Sequence, residues 1–235
     1  MPRATVVIPT LDRKEFLEQA IETVQVQTYE PLECIVVDDG STDGTREYLD
    51  SLDYDALRTI YRDETGLSSA RNAAIDVADG EYVTFLDSDD ILYPHTVETL
   101  VTELDEQPED CAGAFGSKKI VTPRGRVKKK RVPTGSMTEA TIKSAGSIGG
   151  PSSTTFRLEA VEEVGGFDES FDRLEDLDLY LTLLKNYWLL GMDKICCERR
   201  THDRQISGDD EMMSRSYKRI LKKHGVEDPR RDRRK

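Results

Sequence analysis

Apolar positions in the first half of the chain alternate between short continuous runs and helical spacing, the pattern of βαβ units and a parallel sheet. Residues 5–10 (TVVIPT) predict a strand buried on both faces. Behind them Asp12 and Glu15 form a capping-box pattern, and Phe16, Leu17, Ala20, Ile21 and Val24 recur at helical spacing, predicting a first helix. Residues 32–37 (LECIVV) predict a second strand, Tyr48, Leu49 and Leu52 a short helix, and residues 57–62 (LRTIYR) a third strand. Leu67, Ala70, Ala74, Val77 and Ala78 line a third helix that Gly80 would stop. Residues 81–86 (EYVTFL) form a fourth strand that runs into Asp87, Ser88, Asp89 and Asp90, and the next helix opens with Pro94 in its first turn.

After Pro108 the pattern changes. AGAFGSKKIV and RVKKKRV, separated by TPRG, predict an antiparallel hairpin. Its basic run, Lys128 to Arg131, reads as the solvated face of an edge strand, with a phosphate or lipid contact as the alternative. A strand over 148–158, a short helix over 159–164 and a turn at Gly165-Gly166-Phe167-Asp168 follow. A longer helix starts near Leu174 and ends at Tyr187 and Trp188, which read as packing residues; a strand around 192–199 and an amphipathic helix over about 212–223 close the pattern.

The chain has 235 residues, 37% of them apolar, enough for one substantial α/β domain with a short tail. A net charge of −13 disfavours nonspecific nucleic-acid binding, which needs excess positive charge. Such an acidic surface suits a high-salt interior or simply a soluble enzyme. Cys34, Cys111, Cys196 and Cys197 show neither CxxC pairs nor His/Cys ligand spacing, so a reducing, cytoplasmic setting without zinc is expected. Residues 1–10 show no apolar run of signal-peptide length, and no membrane-spanning stretch is expected.

The stretch VVDDGSTDGTREYLD admits two readings. Counted from Asp39, the oxygens of Asp39, Ser41, Asp43, Glu47 and Asp50 fall at EF-hand positions 1, 3, 5, 9 and 12, with Gly44 at position 6. The β-branched CIVV before it is a strand where an EF-hand needs a helix, which favours the second reading: a carboxylate at the end of a strand, where doubly wound sheets bind nucleotides. Asp39 also suits a turn or cap, and Asp43 is assigned to one. Strand one ends in Pro9-Thr10-Leu11-Asp12 with no glycine, which removes the support for a dinucleotide fingerprint, and GxxxxGK[ST] does not occur. Carboxylates two residues apart in FLDSDD suit a hard divalent cation that in turn binds diphosphate.

In order, VVIPTLDR, IVVDDGSTDGT, GLSSARNAAI, YVTFLDSDD, VGGFDESF, LEDLDLYLTL and RRTHDRQIS resemble a family 2 inverting glycosyltransferase of the GT-A fold over nearly the whole chain. The resemblance implies a mostly parallel central sheet flanked by helices, with a smaller antiparallel acceptor-side sheet. Residues 1–208 would be one domain, 1–107 its nucleotide-binding half and 108–208 its acceptor-binding and catalytic half, with 209–235 a basic amphipathic helix and tail. Pro9, Thr10, Asp39, Gly66, Arg71, Asp87 and Ser88 would bind the nucleotide, and Asp89 would hold Mn²⁺ or Mg²⁺ with His202 in support. The donor would be a nucleotide diphosphate sugar, a UDP-sugar being the first choice, and the acceptor a hydroxyl, for instance on a lipid-linked glycan.

The resemblance implies Asp176, beside Glu175, as the base. On residues alone, acids in a first helical turn are equally explained by the helix dipole, which would lower the carboxylate's pKa; His202 alone reads as a surface loop residue. No QxxRW motif follows, which points to transfer of a single sugar. Lys218, Arg219, Lys222, Lys223 and PRRDRRK would suit an anionic membrane surface at about 1 kcal/mol per basic residue, or a solvated terminus. The rival functions are a catalytically silent sugar-nucleotide binder and a nucleotidyltransferase.

Overall fold

The computed structural model describes residues 3–138, 149–202 and 210–226. Its elements are β1 (Ala4–Thr10), α1 (Lys14–Gln25), β2 (Leu32–Asp38), α2 (Thr45–Asp50), β3 (Leu57–Tyr61), α3 (Leu67–Ile75), β4 (Tyr82–Phe85), β5 (Asp90–Leu92), α4 (Thr96–Asp105), β6 (Cys111–Val121), β7 (Val127–Lys130) and β8 (Gly135–Met137). A 3-10 turn (Pro151–Ser153), β9 (Thr154–Arg157), α5 (Leu158–Glu163), α6 (Glu175–Leu183), β10 (Trp188–Arg200) and α7 (Asp210–Lys223) complete the described chain.

Parallel pairing orders the first half β3-β2-β1-β4. The sheet continues through β9, antiparallel to both β4 and β6, into β10 and β5, with β7 on β6 and β8 on β10. The antiparallel strands therefore extend the same sheet. Alternation along a fully buried strand sends neighbouring side chains to opposite faces. Val6 and Ile8 accordingly join Leu17, Ile21 and Leu100 in one core, while Val7 joins Ala70, Ala74 and Phe85 in the other. Helices thus cover both faces.

Several boundaries differ from the sequence pattern. Asp12 does not cap α1: its φ of 49° turns the chain, and its carboxylate accepts from Thr42 N at 2.6 Å. The cap comes instead from Asp43, which accepts from Lys14 N at 2.9 Å and from Thr45 N, at the start of α2, at 3.2 Å. Burial raises the Asp43 carboxyl, but these hydrogen bonds outweigh it and hold the group below its ordinary range. Pro94 precedes α4 rather than opening it, α3 closes at Ile75, and Trp188 begins β10 rather than ending a helix. Of the stretch read as one strand over 148–158, Thr154–Arg157 pair in the sheet while Pro151–Ser153 form a 3-10 turn, and residue 148 lies outside the described residues.

The C-terminal helix α7 docks on the domain. Ile220 is fully buried, Arg219 donates to Ser170 O at 2.7 Å, and Lys223 spans Asp168 and Asp178 at 2.9 and 2.7 Å. His224 Nε2 sits 2.8 Å from the other oxygen of Asp178, a buried carboxylate on the helix that begins at Glu175. Arg219 and Lys223, expected at a membrane surface, are therefore used in docking; PRRDRRK lies outside the described residues. Replacing Lys223 and His224 together with alanine should cost about 1–3 kcal/mol, because Asp178 stays buried and loses both partners. Urea unfolding at neutral pH checks it.

Candidate active site

Carboxyl ends of adjacent parallel strands form the crevice in which open α/β sheets bind ligands. Here β2, β1 and β4 deliver Asp39, Pro9-Thr10 and Asp87 to Asp90 to one edge. The carboxylate of Asp39 faces the start of α3: one oxygen accepts from Thr65 N and Oγ1 at 2.9 and 2.7 Å, the other from Gly66 N at 2.8 Å. Asp50 receives the Tyr61 hydroxyl. The EF-hand oxygens thus turn to separate partners.

Two adjoining cavities lie along this edge. The larger, about 460 Å³, is lined by Pro9, Thr10, Asp39, Gly66 and Ser68 among others. The Thr10 hydroxyl that borders it is buried and has no hydrogen-bond partner among the described residues. The smaller, about 340 Å³, is lined by Arg71, Asp87, Asp89, Lys118, Glu175 and Asp176. Ser88 belongs to both, as do Pro9 and Arg13.

Arg71 is a buried lining residue of the smaller cavity. Its side chain is 1% exposed, donates from Nη1 to Glu175 at 2.7 Å and from Nη2 to Asp87 at 2.7 Å, and lies over the Phe167 ring. Arg71, expected beside the nucleotide, lines this cavity and also links the end of β4 to the start of α6. Burial raises Asp87 despite Arg71, with Asp89 and Glu175 adding to the rise. Burial, Asp87 and Asp89 together push Asp90 up to about 8; one of its oxygens accepts from Ser152 and the other is buried without a partner.

Asp89 is held from two sides, by Arg13 Nη1 at 3.2 Å and His202 Nε2 at 2.9 Å. His202 is no surface loop residue: its ring stacks on Phe16 at 4.5 Å and is mostly buried. It stands against Asp89 and lines neither cavity.

Asp176 sits in the first turn of α6, behind Leu174, whose φ of 61° is left-handed without being glycine. Such a conformation costs on the order of 1–3 kcal/mol and turns the chain abruptly into the helix. Leu177 N donates to the Asp176 carboxylate at 2.8 Å. The dipole argument expected a lowered pKa; instead burial, then repulsion from Glu175, push the carboxyl up to about 6. Desolvation wins because the first turn faces the cavity and not open water. Arg13, Lys118 and Lys130 were not singled out as site residues, yet all three line the smaller cavity. The basic run was the signal for Lys130, and the LDR at the end of strand one for Arg13.

The sequence profile described as "Glycosyl transferase family 2" matches residues 5–165. The chain belongs to that family. The chain is 37% identical over 109 residues to the glycosyltransferase GlyG of Streptococcus pneumoniae, covering 45% of this chain and 36% of GlyG. It is 38% identical over 110 residues to a Campylobacter jejuni protein named GalNAc(5)-diNAcBac-PP-undecaprenol beta-1,3-glucosyltransferase, covering 45% and 36% of the two. The chain thus spans about a third of the length of these relatives. Among solved structures, S. aureus TarS 1-349 in complex with UDP-GlcNAc superposes with a TM-score of 0.72 at 20% identity, covering 86% of this chain and 60% of that one. Mannosyltransferase PcManGT from Pyrobaculum calidifontis, in complex with GDP-Man and Mn2+, gives 0.73 at 20% identity, covering 97% and 65%. The architecture of this family 2 chain is accordingly the GT-A fold. No helix among its described residues is long and apolar enough to cross a membrane.

Proposed function

We propose that this family 2 chain is a metal-dependent inverting glycosyltransferase that moves one sugar from a nucleotide diphosphate sugar to an acceptor hydroxyl. The observation that carries the reading is that Asp176, its carboxyl pushed up to about 6, lines one cavity together with Asp87 and Asp89. Neighbours in complex with UDP-GlcNAc and GDP-Man support a nucleotide-sugar donor, and the Campylobacter name supports a lipid-linked acceptor as a candidate. The nucleoside is assigned to the larger cavity, where Asp39 fixes the Thr65-Gly66 wall and the unpartnered Thr10 hydroxyl awaits a polar group.

The acidic end of β4 fits a divalent cation. Its oxygens are hard donors, burial and then repulsion between neighbouring carboxylates raise Asp87 and Asp90, and one Asp90 oxygen is buried without a partner among the described residues. Asp89 would hold Mn²⁺ or Mg²⁺, with Asp87 and Ser88 toward the nucleotide and His202 orienting Asp89; the ion would neutralise charge on the departing diphosphate. The chain's own step is proton removal. Asp176 accepts the acceptor's O–H proton as that oxygen bonds to the anomeric carbon from the face opposite the leaving group. The bond from that carbon to the diphosphate oxygen breaks, and its electron pair leaves with the nucleoside diphosphate.

Such a base must be ionised, so kcat should fall about tenfold per pH unit below about 6 and level off above it, as a pH–rate profile would record. Asp89→Ala should abolish the Mn²⁺-dependent part of donor affinity, read by calorimetry with and without EDTA; unchanged affinity would remove Asp89 from the metal site. The basic end PRRDRRK remains a candidate for peripheral membrane contact, tested by flotation with anionic liposomes before and after its deletion.

A further inference from the structure

The hairpin of β6 and β7 sets lysine directly opposite lysine twice, Lys118 with Lys130 and Lys119 with Lys129. Like charges in opposed positions of an antiparallel ladder destabilise it. Protection of a sheet edge explains outward lysines on β7, but not Lys118, which is only 8% exposed and lies on the inner strand. Register partners and residues two apart share a face. By that rule Lys118, Lys128 and Lys130 share one, and Arg199 joins it through its pairing with Ile120.

Lys118, Lys130 and Arg199 line the 340 Å³ cavity together with Asp176, and none of them lines the nucleoside cavity. Neither lysine ammonium has a hydrogen bond or close ion pair among the described residues. A Cβ on Gly150 would collide with Lys118 Nζ, so the bare glycine leaves room for that ammonium at the cavity wall. Asp87 and Asp90 offset part of the Lys118 charge across the cavity. Lys130 is less well compensated: burial lowers its ammonium pKa, Lys118, Arg199 and Lys128 lower it further, and Asp176 opposes them. On a chain of net charge −13, a positive cluster of this kind is set against the general balance.

We propose that this face is an acceptor subsite for phosphate: the compound glycosylated carries a phosphate group near its attacked hydroxyl, held by Lys118, Lys128, Lys130 and Arg199. The inference rests on the transferase reading and names the substrate class of the same site. A phosphate with up to two charges suits several converging point-charge ammonium groups, whereas a carboxylate is best met by an arginine fork. Lys130 shares this cavity with Asp176 and is offset by it, which assigns the subsite to the acceptor that Asp176 deprotonates and not to the donor's diphosphate.

The test offers acceptors in matched pairs, the same sugar joined to a decyl chain either directly or through a phosphate, with Mn²⁺ and a panel of sugar nucleotides. Wild-type protein should use the phosphate-bridged member with kcat/KM at least tenfold higher. In the double variant Lys128→Gln, Lys130→Gln the KM for that member should rise at least tenfold and the preference should vanish. Glutamine keeps side-chain length and removes repulsion, so the thermal midpoint at low salt should hold. Equal use of both members by wild type overturns the proposal, and so does a donor KM that rises as much as the acceptor KM, which would give the cations to the donor. Absence of nucleoside diphosphate release with every donor would instead strike the transferase reading. Equilibrium binding of the two decyl compounds then decides: tighter binding of the bridged form, lost in the double variant, supports the subsite, and equal binding refutes it.

Discussion

Asp176→Asn is expected to lower kcat by about 10²–10⁴ while donor affinity holds, because general-base catalysis is worth that factor and the asparagine keeps the shape of the group. The variant should also fold at least as well as wild type. A carboxyl pushed up to about 6 favours its neutral form in the native state, so ionising it costs stability as pH rises from the unfolded carboxylate range through 6. The neutral amide escapes that cost and the repulsion from Glu175. A kcat loss with unchanged thermal midpoint would separate catalysis from folding; unchanged turnover would remove Asp176 as the base.

Arg71 gives the largest expected loss of stability. Its guanidinium is the one described cation in hydrogen-bond contact with both Asp87 and Glu175, at 2.7 Å to each, and it is 1% exposed. Arg71→Met removes the charge but leaves both carboxylates, Glu175 mostly buried and Asp87 35% exposed. Breaking a buried pair from one side costs about 3–5 kcal/mol, which for a chain of this size lowers the thermal midpoint by on the order of 10 °C. Arg71→Lys should recover little of this, since an ammonium lacks the fork that reaches two carboxylates at once. Adding Asp87→Asn and Glu175→Gln to Arg71→Met should recover more stability than lysine does. Thermal and urea unfolding of the series check the order.

The strand ends were legible because buried parallel strands read as apolar runs and their last residues are polar. Asp39 and Asp87 to Asp90 could be placed on one edge from order alone. Asp176 was singled out as a candidate base through the order of motifs, since its residue type alone fits an ordinary first helical turn equally well. Partners distant in the chain were not legible. Arg71 and Glu175 are 104 positions apart, and nothing in the alanine-rich face of α3 announces that its arginine turns inward to meet a second helix. Asp43 caps α1 from beyond β2, so the local capping-box pattern at Asp12 misled. The pKa of Asp176 failed for a related reason: the dipole is written in the sequence, while the desolvation that overrides it depends on which elements close the cavity. Lys128 and Lys130 were visible as a run, but their alignment with Lys118 needed the register of the hairpin.

Proton NMR of the first turnovers tests the central claim most directly. With Mn²⁺ and a sugar nucleotide that raises the thermal midpoint, the sugar passed to an acceptor or to water should appear with inverted anomeric configuration beside an equal amount of nucleoside diphosphate. The signal should vanish in EDTA and in Asp176→Asn. Retained configuration, or release of pyrophosphate in place of nucleoside diphosphate, would contradict the account.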